Sequence, residues 1–202
     1  MRKFFLAMML ALPLFAAAQN TWEMPEANEK GVTANPDQKY LVGAVPVVDG
    51  RVVFHTVIEA PGKSADQIYG ILHSYFKKML KEPNQSEQSR LTLEDSVKHD
   101  LCGSFQEWLV FKRTALVLDR TRFLYNLVAE CSDGKADISL TRIVYLYDEE
   151  RNLQTLKAED WITDEYGLKK SKQKLSRISG KFRRKTIDRK DYLFNKMASL
   201  LK

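Results

Sequence analysis

The chain has 202 residues, 32 of them Lys or Arg and 26 Asp or Glu, for a net charge of +6. That length suits one domain of ordinary size and is marginal for two. Past residue 18 no apolar run approaches the roughly 20 residues that a membrane-spanning helix needs, so the processed chain is expected to be soluble.

Arg2 and Lys3 open the chain, an apolar stretch runs from Phe4 to Phe15, and Ala16, Ala17 and Ala18 precede Gln19. A positive start, a short apolar core and an A-x-A site are the parts of a cleavable secretory signal. Gln19 in place of Cys leaves lipidation at that cut without an acceptor. The expectation is export by the general secretory route, to periplasm or medium, with residues 1–18 removed. Residues 19–39 mix Asn, Glu, Pro and Gly with little apolar periodicity and read as a disordered lead-in. A single domain is expected over 40–202.

A β-like run covers Arg51 to Glu59 and ends at Pro61 and Gly62. Ser64 with Gln67 three residues on forms a capping box, which predicts a helix start. Ile68, Ile71, Leu72, Tyr75, Phe76, Met79 and Leu80 continue it at helical spacing until Pro83 and Asn84. Strand patterns follow at Arg90–Asp95, Leu101–Phe111, Thr121–Cys131 and Ala136–Tyr147. Asp133-Gly134 suits a two-residue type I′ turn between the last two. The resulting register sets Cys131 against Ala136, Ala129 against Ile138, Leu127 against Leu140, Tyr125 against Arg142 and Phe123 against Val144. One face is then almost wholly apolar, with Arg142 the odd member.

Residues 151–180 read as irregular and charged, with a short helix near Ala158 to Asp164. A final helix is predicted from Thr186 as N-cap, with Ile187, Leu193, Phe194, Met197, Leu200 and Leu201 as its apolar stripe. The order β-α-β-β-β-β-α gives an α+β domain: a single antiparallel sheet with two helices on one face.

Four segments carry a resemblance: Tyr40-Leu41-Val42-Gly43-Ala44-Val45-Pro46, Pro61-Gly62-Lys63-Ser64, Leu118-Asp119-Arg120-Thr121-Arg122, and Ser179 through Asp188. Together they resemble the exported bacterial family known as domain of unknown function 4468, from about Tyr40 to the end. The resemblance implies a TATA-binding-protein-like (TBP-like) fold. It implies no catalytic residues, and a shared fold does not imply DNA binding.

His55, His73 and His99 form no H-x-x-x-H pair, and no G-x-S-x-G elbow occurs, so neither metal, cofactor nor a local catalytic group is expected. Burying an unpaired guanidinium costs several kcal/mol. Arg142 is therefore expected to snorkel past Tyr125, to pair with a carboxylate, or to anchor the acidic head of a ligand between sheet and helix. Two cysteines in an exported chain point to a disulfide. If Phe111 pairs with Arg122, Cys102 faces Cys131 within bridging range.

From Lys169 to Lys190 eleven basic residues stand against Asp188 alone, a net +10. Arg183, Arg184 and Lys185 are the candidate contacts for an anionic envelope component or an acidic protein surface. Internal pairing with Glu149, Glu150, Glu159, Asp160, Asp164 and Glu165 is the alternative. Nucleic acid is not expected of an exported chain. These features point to a noncatalytic binding or interaction module of the cell envelope. The alternatives are a helix-grip-type binder of a small apolar ligand, its cavity lined by Phe123, Leu127, Ile138 and Val144, and an enzyme with a nonlocal active site.

Overall fold

Asp49 and Gly50, with φ of 48° and 74°, turn the chain between two short strands, β1 (Val47–Val48) and β2 (Arg51–Val52). They belong to a computed structural model that describes residues 35–202. The expected signal and the lead-in as far as residue 34 lie outside the described residues. The run read as one strand from Arg51 breaks at Val53, and β3 is Phe54–Glu59. The capping box closes as read: Gln67 N–H donates to Ser64 Oγ at 3.3 Å, and Ser64 N–H to Gln67 Oε1 at 2.9 Å. Helix α1 then runs over Ala65–Met79 and buries Ile68, Leu72, Tyr75, Phe76 and Met79.

Strands β4 (Arg90–Asp95), β5 (Asp100–Arg113), β6 (Leu118–Ser132), β7 (Lys135–Tyr147) and β8 (Gln154–Lys157) complete the sheet. Its order is β3-β7-β6-β5-β4, antiparallel throughout, with β8 pairing the same β7 beyond the reach of β3. Helix α2 spans Gly180–Leu201 and packs with α1 on one face. The result is the expected α+β layering, with a small β1-β2 sheet beside it. Among the described residues no helix is long and apolar enough to cross a membrane.

Leu101, Phe105, Phe123, Tyr125, Leu127, Ile138 and Leu140 point from the sheet into the core, where Leu72, Phe76, Phe182, Leu193 and Met197 meet them, all essentially without exposure. Phe76 meets Phe105 edge-on at 5.8 Å, and Phe105 stacks on Tyr125 at 5.6 Å. Phe123, Leu127 and Ile138 are thus packed core residues rather than the lining of an open cavity. The far face carries Trp108 beneath the guanidinium carbons of Arg120 and Arg122, each 3.8 Å from the ring centroid.

The β6-β7 register matches the sequence reading from Cys131↔Ala136 to Leu127↔Leu140 and then departs from it. Asn126 pairs with Thr141 and Leu124 with Val144, so Tyr125 opposes both Arg142 and Ile143. Arg142 sits in this bulge at φ 53°. One inserted residue reverses the alternation: Ile143 and Tyr145 turn inward, while Arg142 is exposed and Val144 leaves the core face. Phe123 pairs with Tyr145 instead of Val144.

The connecting turn also differs from type I′, because Gly134 (φ 78°) is at positive φ and Asp133 is not. Contacts to the β3-α1 connection hold it. Asp133 Oδ1 accepts from Ala65 N–H at 2.8 Å, and Gly134 N–H donates to Lys63 O at 2.9 Å. Thr186 is not an N-cap but a buried residue within α2, 2.6 Å from the Tyr145 hydroxyl. In the stretch read as irregular, β8 forms and the expected short helix shrinks to a 3-10 turn over Ala158–Asp160.

Candidate functional site

Because α2 starts at Gly180, its first turns carry the basic residues into the body of the protein. Arg183 is wholly buried. Its Nε donates to Tyr40 O and its Nη2 to Leu41 O, both at 2.6 Å; Nη1 donates to Ile162 O at 2.7 Å, and Nη2 also to Asp164 Oδ1 at 2.6 Å. Burial pulls its pKa down, and Asp164 opposes that pull. Gly167 makes room, since a Cβ there would fall 2.8 Å from Arg183 Cδ and 2.7 Å from Ile162 O. Arg183 is thus a structural clamp, withdrawn from any ligand, which corrects its reading as an anion contact.

Arg184 pairs with Asp37 at 2.5 Å, and Lys181 with Asp119 at 2.6 Å. Arg184 and half-buried Lys185 do share a shallow pocket of about 340 Å³ with Arg177 and Lys181. Within the +10 stretch Lys181, Arg183, Arg184, Arg189 and Lys190 are therefore paired internally, with Asp119, Asp164, Asp37, Glu107 and Asp191 rather than with the six upstream acids as a group.

The cysteines are free. Trp108, not Phe111, pairs with Arg122, so Cys102 opposes Val128. Buried Cys131 lies on the core face and half-buried Cys102 on the other, which corrects the expected pairing. Burial pushes the Cys131 thiol up to about 11, with Asp100 adding to the shift.

Sequence reasoning missed a buried ion pair. Glu107 occupies a core-facing position of β5 and has no solvent exposure. Its Oε1 accepts from Arg189 Nε at 2.7 Å and from Tyr125 Oη at 2.9 Å, and its Oε2 from Asn84 Nδ2 at 2.8 Å. Burial alone weakens the Arg189 charge, but Glu107, Tyr125 and Glu82 hold its pKa above the ordinary value. The available signal was Glu107 itself, a carboxylate in phase with Leu101, Phe105 and Leu109.

Each histidine faces one carboxylate: His55 and Asp137 at 2.7 Å, His73 and Glu94 at 2.6 Å, His99 and Asp66 at 2.8 Å. Among the described residues no three His, Cys, Asp or Glu converge as metal ligands would.

Two further surface grooves have the size of small-molecule sites. The larger, about 650 Å³, lies between α1 and α2. Gly70, Ile71, Tyr75 and Leu200 contribute its apolar surface and Lys63, Lys78 and Lys196 its cations, while its one carboxylate, Asp66, faces His99. Gly70 interrupts α1 at a cost of about 1 kcal/mol relative to Ala. Packing does not require it, because a Cβ there would meet nothing within 4 Å. The second groove, about 510 Å³, is lined by Gly50, Arg51, Arg142, Ile143, Val144, Lys157, Glu159 and Asp160. Arg142 therefore reaches a groove, but one at the sheet edge rather than between sheet and helix.

The family described as a domain of unknown function (DUF4468) with TBP-like fold matches residues 54–146. A crystal structure of a DUF4468 family protein from Bacteroides ovatus ATCC 8483 is similar at 41% identity, with TM-score 0.77, over 83% of this chain and 96% of that one. The chain belongs to the DUF4468 family. A TBP-like protein from Parabacteroides distasonis ATCC 8503, 22% identical over 78% of this chain and 96% of that one, shares the fold with TM-score 0.62. No curated protein matches the chain. In this DUF4468 protein both grooves include residues beyond 54–146, among them Lys196 and Leu200 in one and Lys157, Glu159 and Asp160 in the other.

Proposed function

We propose that the chain is a noncatalytic binding module of the cell envelope that takes an anionic amphiphile, an acyl chain with a charged head, into the groove between α1 and α2. The observation that carries this reading is the pairing of an apolar floor with three lysines in a groove of about 650 Å³. From Asp66 to Lys78 the α1 side extends about 18 Å at 1.5 Å per residue, which suits an extended chain. Gly70 lets that chain approach the helix backbone. Lys78 and Lys196 hold the head; Lys63 is engaged with Lys202 O at 3.2 Å. The expected signal supports the envelope assignment.

Calorimetric titration with saturated fatty acids of increasing length, below their micelle concentrations, tests the reading. Each added methylene is expected to tighten binding by about fourfold, the equivalent of ~0.8 kcal/mol, until the groove is filled. Gly70→Leu and the pair Lys78→Ala with Lys196→Ala are expected to weaken binding while the circular dichroism spectrum is retained. Affinity independent of chain length, or unchanged in both variants, overturns the proposal.

A further inference from the structure

Arg142 is the extra residue of the β7 bulge and adopts φ 53°, a conformation that glycine accepts without strain and arginine does not. Bulges re-aim a side chain, and this one directs Arg142 into the groove of about 510 Å³. The groove lies where the sheet edge is interrupted. β3 pairs with β7 as far as Leu140 and β8 begins at Val144, so neither strand reaches residues 141–143.

Arg51 and Lys157 line the same groove. Among the described residues none of these three exposed cations has an ion-pair or hydrogen-bonding partner for its side chain, whereas Arg120, Arg122, Lys181, Arg183, Arg184 and Arg189 are all paired. Of the two carboxylates present, Glu159 accepts from Val52 N–H at 2.9 Å. Asp160 is exposed, where solvent and salt screen the repulsion that its carboxylate exerts on a bound anion.

We propose that Arg142, Arg51 and Lys157 form a site for a multiply charged phosphate anion, separate from the helix groove. Two guanidinium forks match phosphate oxygens in pairs, and the lysine adds a movable point charge. The same chemistry belongs to a free oligophosphate and to a phosphomonoester on a lipid head.

Binding is measured for tripolyphosphate by calorimetry and for phosphatidate-containing vesicles by co-sedimentation, at low and high salt. Arg142→Gly removes the guanidinium and relieves the backbone, so its unfolding midpoint is expected to equal or exceed that of wild type. The same variant is expected to weaken binding at least about tenfold, the loss that accompanies one charge-assisted hydrogen bond. Arg51→Ala with Lys157→Ala is expected to do likewise. Loss confined to tripolyphosphate assigns a free anion, and loss confined to vesicles assigns a lipid head. Binding that is equal in wild type and Arg142→Gly in both arms, or undetectable in both arms, overturns the site.

Discussion

Arg189 on α2 and Glu107 on β5 form an ion pair at 2.7 Å in which neither side chain keeps any solvent exposure. Removing one member of such a pair strands the other charge in a medium that solvates it poorly, which costs about 3–5 kcal/mol. Glu107→Leu and Arg189→Met are each expected to lose that much in urea unfolding. Glu107→Leu with Arg189→Met and Tyr125→Phe, which replaces the charges and the hydroxyl together, is expected to recover most of the loss. Single variants that cost less than about 1 kcal/mol contradict the account.

Arg183→Ala is expected to lower stability by about 3 kcal/mol or more, because it leaves the carbonyls of Tyr40, Leu41 and Ile162 without their donor. Arg183→Lys keeps the charge but not the planar fork, and is expected to recover less than half. Arg184→Ala breaks a partly exposed pair and is expected to cost no more than about 1 kcal/mol. Thermal unfolding of the three variants ranks them, and equal losses would show that Arg183 acts as an ordinary surface cation.

Alkylation separates the two thiols. Cys102 is expected to react in the native protein, while buried Cys131 reacts only after denaturation; mass spectrometry of the labelled peptides distinguishes them. The Cys131 thiol has its pKa raised from 9.0 to about 11, so the folded state holds its proton more tightly than the unfolded state. Its contribution to stability is fully present below pH 9 and is lost as pH rises through 11. Over that interval wild type is expected to lose on the order of 2 kcal/mol more than Cys131→Ala. Equal pH profiles for the two proteins contradict the shift.

Much of the architecture was legible because local signals agreed with the global fold. The Ser64-Gln67 box, the alternation in β5 to β7 and the Asp133-Gly134 turn each restrict the chain within a few residues. The bulge at Arg142 was not legible, since a single left-handed arginine leaves no mark in composition, yet it reverses every face beyond it. The cysteine pairing failed through a three-residue error in the β5-β6 register, which the loop around Ala115 does not reveal. The start of α2 was misplaced because Arg183 reads as a surface residue until the carbonyls of Tyr40 and Leu41 are seen around it. Of the candidate sites, Arg142 was selected for the wrong surroundings, and the helix groove was invisible because Gly70 signals only a weak helix position.

The 22 residues of α2 carry the partners of Tyr40, Leu41, Glu107, Tyr145 and Ile162. A nascent chain lacking them holds a sheet whose inner face is open and whose Glu107 has no counter-charge. The hairpins can form as they emerge, but the two layers cannot close. Closure of the two layers therefore waits for α2, and a chain cut short anywhere within it is expected to be a substrate for proteolysis rather than a shorter version of the domain.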